Sequence, residues 1–124
     1  MKIEDKYIQT AINALTEASI VDAEGFYKEV FKGYISGLGA SIMQAGLLPT
    51  VIFYENSPAS EADKSKLIAA IIHVLNTDFG YTINERFSQY ILANSKRKEQ
   101  VKLLKDVEKA VVAIKLALRI FNAK

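Results

Sequence analysis

The sequence predicts an all-α fold in which residues 1–124 form a single compact bundle of five or six helices. Apolar residues recur at spacings of three and four along most of the chain, which is the period of an amphipathic helix. Half of the 124 residues are hydrophobic and only two are proline, which is enough for one domain with its own core. Glycines and capping residues fall between the periodic segments, where helices are expected to begin and end.

The first helix is predicted over residues 3–19. Glu4 and Asp5 lie in its first turn, where acidic side chains suit the positive end of the helix dipole. The stripe that should face the core consists of Ile3, Tyr7, Ala11, Ala14 and Ala18, with Ile8, Ile12 and Leu15 beside it.

The second helix is predicted from Tyr27 to Ala45, with Gly46 in the position of a C-cap glycine. Gly37 and Gly39 lie inside it, where each costs up to about 1 kcal/mol relative to alanine. We expect a neighbouring helix to approach closely at these glycines, and a functional kink is the alternative. The buried stripe is predicted to contain Tyr27, Phe31, Tyr34, Leu38, Ile42 and Ala45.

Residues 48–54 are ambiguous between strand and helix. The run from Val51 to Tyr54 has strand propensity, but a lone strand would have no partner here. Pro49 suits the first position of a helix. We therefore predict a short buried helix that ends before Ser57-Pro58.

Two helices are predicted between residues 60 and 93. Ser60 is the expected N-cap of the first, with an acidic first turn, and Gly80 is expected to end it. Thr82 and Glu85 match a capping box, which predicts that the second helix runs from there to about Ala93. The buried faces are predicted to be Leu67, Ile68, Ile71, Ile72 and Leu75 in the first helix, and Ile83, Phe87, Tyr90 and Ile91 in the second.

The last helix is predicted from Lys96 to Phe121. Residues Val111 to Ile114 are apolar at four successive positions, so more than one face of this helix is apolar. Any apolar surface of this helix that the core does not cover would favour a protein partner. The buried seam is predicted to be Leu104, Val107, Val111, Ile114, Leu118 and Phe121, a heptad-like spacing.

Enzymatic and metal chemistry find little support in the sequence. The chain has no cysteine, which excludes a disulfide and a thiolate metal site, and its one histidine, His73, is expected on the surface. Asp78-Phe79-Gly80 copies a kinase tripeptide without the other parts of a kinase, and it is read as a chance match. We predict no enzyme activity, no catalytic residue, no cofactor, no metal and no small-molecule substrate.

No membrane partner is expected either, and the prediction is a soluble cytoplasmic protein. The N-terminal residues lack the continuous apolar region of a signal peptide. The longest apolar run, from Ala110 to Ile114, is far shorter than the roughly 20 residues that span a bilayer.

The charges of the chain are unevenly distributed. Residues 1–95 contain 7 Lys/Arg and 11 Asp/Glu, whereas residues 96–124 contain 9 Lys/Arg and 3 Asp/Glu. The net charge of +2 therefore separates into a slightly acidic body and a basic end, which favours an anionic partner for that end.

Four lysines of the last helix form what we call the lysine stripe: Lys98, Lys102, Lys105 and Lys109. They recur at 4-3-4 spacing, so they fall within about 60° of arc and span about 16 Å along the helix. A phosphate backbone would relieve their mutual repulsion, whereas the alternative is an ordinary solvated face. Asp106 and Glu108 are expected beside the stripe and should offset it only in part.

The candidate RNA-binding set includes further basic residues. Lys96 and Arg97 extend the lysine stripe, and Lys28 and Lys32 form a smaller secondary pair at i, i+4. Lysine contacts to phosphate would carry no sequence information.

The residue pattern resembles a known family, the small helical subunit of the type III-B CRISPR effector, or Cmr complex. The resemblance covers most of the chain and rests on packing residues. The stretches that carry it are Tyr34-Ile35-Ser36-Gly37-Leu38, Ile42-Met43-Gln44-Ala45-Gly46-Leu47, Val51-Ile52-Phe53 and Ala117-Leu118-Arg119-Ile120-Phe121.

That resemblance implies a non-catalytic, cofactor-free subunit in antiviral defence. Its implied partners are single-stranded target RNA, the guide–target duplex backbone, other subunits of the effector complex and further copies of itself. A helical protein–protein adaptor without nucleic-acid binding is the main alternative. A helix-turn-helix DNA binder is disfavoured, because the lysines lie along a long helix and not at the start of a short recognition helix.

Overall fold

The computed structural model describes residues 2–56 and 63–124. Within these ranges it confirms the predicted all-α class, with six helices and one small two-stranded sheet. In chain order the elements are α1 (Asp5–Glu17), β1 (Phe26–Tyr27), α2 (Val30–Ala45), α3 (Leu47–Glu55), α4 (Ser65–Asp78), α5 (Phe87–Ala93), α6 (Arg97–Leu118) and β2 (Asn122–Ala123).

The core forms where α1 packs against both α4 and α6. Alanines with no exposed surface occur in all three helices, and small side chains let helix axes approach closely. Helix α6 also contacts α2, while α3 contacts α2, α4 and α5. The predicted apolar stripes therefore meet in one hydrophobic cluster, except that Ala45, predicted as buried, is exposed. Helix α6 presents its opposite side to solvent.

The start of α2 differs from the prediction, because Tyr27 belongs to a strand and not to the helix. Asp22 causes the difference: its Oδ1 accepts hydrogen bonds from the backbone N–H of Glu24 at 3.0 Å and of Phe26 at 2.9 Å. The turn so formed sends β1 alongside β2 in parallel, with Tyr27 opposite Ala123. Helix α2 consequently begins only at Val30.

The end of the last helix is also earlier than predicted. Helix α6 ends at Leu118, and Phe121, predicted as part of its seam, lies half-buried in the segment leading to β2. The chain turns there because Asn122 and Lys124 donate backbone hydrogen bonds to the carbonyls of Gly25 and Tyr27. The backbone after α6 therefore forms hydrogen bonds with the β1 segment and no longer continues the helix.

The capping-box prediction at Thr82–Glu85 is wrong, since α5 begins at Phe87. The side chain of Asn76 bonds both backbone groups of Ile83: Oδ1 accepts from its N–H and Nδ2 donates to its carbonyl, each at 2.9 Å. Those bonds hold the segment before α5 in a non-helical form while Ile83 stays buried. Glu55 replaces the missing cap, because its Oε2 accepts the backbone N–H of Ser88 at 3.1 Å.

The ambiguous segment before Ser57 is helical, as predicted, although Pro49 is the third residue of α3 and not the first. Gly46 and Gly80 end their helices as predicted; their φ values of 98° and 80° lie in the left-handed region that glycine adopts without strain. The predicted N-cap Ser60 lies outside the described residues.

The close approach of a neighbouring helix that was expected at Gly37 and Gly39 is an ordinary contact at Gly37 and is not seen at Gly39. A Cβ on Gly37 would lie 3.5 Å from the Tyr54 hydroxyl, which is an ordinary contact. A Cβ on Gly39 would meet nothing within 4 Å, so no described helix explains that glycine.

Candidate nucleic-acid interface

The lysine stripe lies on the outer side of α6. Lys98, Lys102 and Lys105 are exposed, and Lys109 is half-buried. The inner side of the same helix buries Leu103, Val107, Ala110, Val111, Ala113, Ile114, Ala117 and Leu118. Periodicity thus located the solvent-facing side of α6, although the seam includes Leu103 and leaves Leu104 only half-buried.

One lysine of the stripe is already engaged by its own chain. Lys102 Nζ donates hydrogen bonds to Asp106 Oδ2 at 2.8 Å and to Tyr81 Oη at 3.3 Å. Tyr81 Oη in turn donates to Asp106 Oδ2 at 2.6 Å. These three residues form what we call the Tyr81 cluster, and Asp106, expected only beside the stripe, pairs with Lys102 directly.

Electrostatics in the Tyr81 cluster follow from these contacts. Burial and the hydrogen bond to Asp106 raise the pKa of Tyr81 to about 12. The hydrogen bond to Asp106 also raises the pKa of Lys102, so this ammonium stays charged and paired. Asp106 is only 7% exposed, and its charge is compensated inside the protein.

Three lysines of the stripe remain available to a ligand. Among the described residues, no ion pair or hydrogen bond engages Lys98, Lys105 or Lys109. Lys96 and Arg97 are exposed at the start of α6, where no side chain caps the helix. Uncapped N–H groups and two cations attract anions to the start of α6, and Glu99 in its first turn offsets that attraction in part.

The secondary pair is not a pair on one helix face. Lys28 precedes α2, whereas Lys32 is its third residue. The two side chains line separate surface depressions, Lys28 together with Lys66 and Lys124, and Lys32 together with Lys115 and Arg119. The spacing of Lys115 and Arg119 was visible in the sequence, but their proximity to Lys32 depends on how α2 packs on α6.

Metal ligands do not converge within the part of the chain that the structure describes. No group of three or more His, Cys, Asp or Glu side chains there could hold a metal ion. His73, expected on the surface, is half-buried. No described helix is both long and apolar enough to cross a membrane.

The apolar run from Val111 to Ile114 does not form a surface patch. Val111, Ala113 and Ile114 are buried, and Val112 is half-buried, because α1, α2 and α4 surround this part of α6. The larger exposed apolar side chains lie elsewhere, and the most exposed are Met43, Phe53, Leu92 and Ile120. An adaptor would therefore have to use other faces than the predicted one.

Comparison with known proteins yields one match. The family model described as "CRISPR-associated protein (Cas_Cmr5)" matches residues 5–117, from the first residue of α1 to the penultimate residue of α6. A search of the curated proteins and a search of the solved structures each found no match.

Proposed function

Because this chain belongs to the Cas_Cmr5 family of CRISPR-associated proteins, we propose that it lines the target-RNA path of a type III-B effector complex as a non-catalytic small subunit. Family membership bears out the resemblance noted in the sequence and makes the chain a Cmr subunit that assembles with other subunits. Lining the RNA, acting in the cytoplasm and serving antiviral defence are the further steps of the proposal.

The lysines on the outer side of α6 are the observation that carries this proposal. Lys98, Lys105 and Lys109 lie on the side of α6 that faces away from the core, and no described residue pairs with them. Like charges at this spacing repel one another, and a phosphate backbone offsets that repulsion while releasing counterions. Such a surface holds RNA without reading its bases.

The shape of the stripe suits a strand better than a compact anion. It spans about 16 Å along a straight helix, and Lys96 and Arg97 extend it at the N-terminal end. An extended single strand or the backbone of a guide–target duplex can contact several of these cations at once. Copies of the subunit placed side by side would lengthen the same track.

Binding of single-stranded RNA by the purified chain, measured across a salt series, tests the proposal. Three phosphate contacts at the stripe contribute about −2 to the slope of log K against log salt, from roughly 0.7 per contact on a single strand. The triple variant Lys98→Glu, Lys105→Glu, Lys109→Glu should remove that contribution, weaken binding strongly and keep the helical circular dichroism. Lys102 is left unchanged because Asp106 depends on it.

A matched control compares two double variants of equal charge change: Lys98→Glu with Lys105→Glu in the stripe, and Lys2→Glu with Lys6→Glu at the start of the chain. If both double variants weaken binding equally, only net charge matters and the assignment to the stripe fails. If the stripe variant still enters the reconstituted effector complex and that complex retains target RNA at full affinity, the adaptor function replaces the RNA-lining one.

A further inference from the structure

A basic depression of about 280 Å³ lies between α2 and α6, away from the lysine stripe. Lys32 from α2 faces Lys115 and Arg119 from the end of α6 across it. Its floor includes Ile35 and Leu118, which are almost completely buried. We call this feature the basic depression.

Three cations meet in the basic depression without a compensating acid. None of the described residues that line it is a carboxylate, and no described residue forms an ion pair with Lys32, Lys115 or Arg119. Like charges that line one depression repel one another, and an anion bound among them would offset that repulsion.

Helix dipoles explain only part of this arrangement. Lys115 and Arg119 lie at the C-terminal end of α6, where a cation is favourable on its own. Lys32 is the third residue of α2, at the positive end of that helix, where a cation is unfavourable. An anionic ligand would make its position favourable.

Neutral donors line the same depression. Ser36 and Tyr27 each contribute to its wall, and neither hydroxyl is hydrogen bonded to another described residue. Arginine binds phosphate oxygens through two parallel N–H groups, lysine adds a point charge, and hydroxyls donate to the remaining oxygens. This combination matches one phosphate group.

We propose that the basic depression binds a backbone phosphate of single-stranded RNA. The source of the phosphate rests on the proposed function, but the site does not use the lysine stripe. On an ideal helix, Arg119 lies about 21 Å beyond Lys105 and about 40° around the axis from it. A strand that follows the stripe can therefore continue into the depression.

The direct test compares two double variants with equal loss of charge. Lys115→Gln with Arg119→Gln should lower the magnitude of the salt slope for RNA binding by about 0.7, the contribution of the one phosphate that the depression holds. Lys2→Gln with Lys6→Gln serves as the control and should leave the slope unchanged. Lys32→Gln alone should weaken RNA binding by a smaller factor, because Lys115 and Arg119 still contact the phosphate. Equal slopes in the test and control double variants would overturn the inference.

Nuclear magnetic resonance of the 13.8 kDa chain separates the sources of the phosphate. RNA should shift the amide signals of residues 32–36 and 115–119, whereas inorganic phosphate should do so only at much higher concentration. Equal affinities for the two would make free phosphate the ligand and overturn the assignment to RNA. Shifts with neither probe would overturn the site itself.

The variant with Lys98, Lys105 and Lys109 reversed distinguishes a failure of the depression site from a failure of the proposed function. If RNA still shifts the depression signals when Lys98, Lys105 and Lys109 are reversed, the depression holds RNA without the stripe. If RNA binding depends on the stripe and ignores the Lys115 and Arg119 variant, this inference fails and the proposed function stands.

Discussion

Lys102 Nζ lies 2.8 Å from Oδ2 of Asp106, one helical turn further along α6, and joins a solvent-facing lysine to a buried carboxylate. The lysine side chain is 66% exposed, whereas that of Asp106 is 11% exposed. Asp106 therefore depends on this partner and on Tyr81 for compensation. Lys102 therefore serves mainly to compensate the charge of Asp106, and it contributes less to RNA binding than the other lysines of the stripe.

Lys102→Gln should consequently affect mainly the free energy of unfolding, and Lys105→Gln mainly the binding of RNA. Loss of Lys105 removes one phosphate contact, so the salt slope should fall by about 0.7 while the free energy of unfolding stays within about 0.5 kcal/mol. Loss of Lys102 should cost about 1 kcal/mol of unfolding free energy and change the slope little. Urea unfolding and RNA titration of both variants measure this, and identical behaviour would contradict it.

Tyr81 should make the protein less stable at high pH. Its pKa of about 12 in the folded chain exceeds the ordinary value of 10, so the folded state holds the phenolic proton more tightly than the unfolded state. The resulting stabilisation is complete below pH 10 and is lost as the pH rises from 10 to 12. Tyr81→Phe should make that loss shallower, as measured by urea unfolding at a series of pH values.

Absorbance of the phenolate provides the check on that prediction. The difference between the titration curves of the unmodified protein and of Tyr81→Phe isolates the ionisation of this one side chain. Burial also raises the pKa of Tyr54 and Tyr90, so some pH dependence should persist in the variant. Ionisation of Tyr81 near pH 10 would mean that neither its burial nor its bond to Asp106 holds in solution.

Glu55 should stabilise α5 from a different helix. Its side chain is only 7% exposed and accepts the backbone N–H of Ser88 in the first turn of α5. Glu55→Ala should lower the free energy of unfolding by about 1–2 kcal/mol, and Glu55→Gln by less because an acceptor remains. Hydrogen exchange should accelerate at the start of α5, whereas Glu85→Ala, at an exposed position nearby, should change neither quantity.

Gly39→Ala should stabilise the isolated chain. A methyl group at this position meets nothing within 4 Å, and alanine favours a helix interior by about 0.5–1 kcal/mol over glycine. Gly37→Ala should raise the free energy of unfolding by less, because its methyl group would contact the Tyr54 hydroxyl that donates to the Tyr34 carbonyl. Thermal unfolding measures both, and a lower melting temperature for Gly39→Ala would refute the prediction.

A stabilised Gly39→Ala chain also allows a test in the assembly. If this variant folds better and yet enters the effector complex poorly, the glycine is needed by a contact with a neighbouring subunit. Normal assembly would mean that no contact with a neighbouring subunit requires glycine at position 39.

Periodicity identified most of the helices correctly because burial on one side of a helix repeats every 3.6 residues. Leu67, Ile71 and Leu75 are buried as predicted, and the outer side of α6 carries the lysines. Local patterns failed where a side chain formed hydrogen bonds with the backbone a few residues further along the chain. Asn76 replaced the capping box before α5, and the turn at Asp22 removed Tyr27 from α2.

By itself, the sequence determined the helical class and the exposed side of α6, because both depend on residue spacing within a short stretch of chain. It also determined the family, whose residue pattern runs through most of the chain. Only the tertiary structure decided which charges are available. Lys102 is paired with Asp106 because packing buries that carboxylate and brings Tyr81 against it, and Lys32 meets Lys115 and Arg119 because α2 crosses the end of α6. Tyr81 lies 25 residues before Asp106, and Lys32 lies on a different helix from Lys115, so no local spacing encodes these contacts.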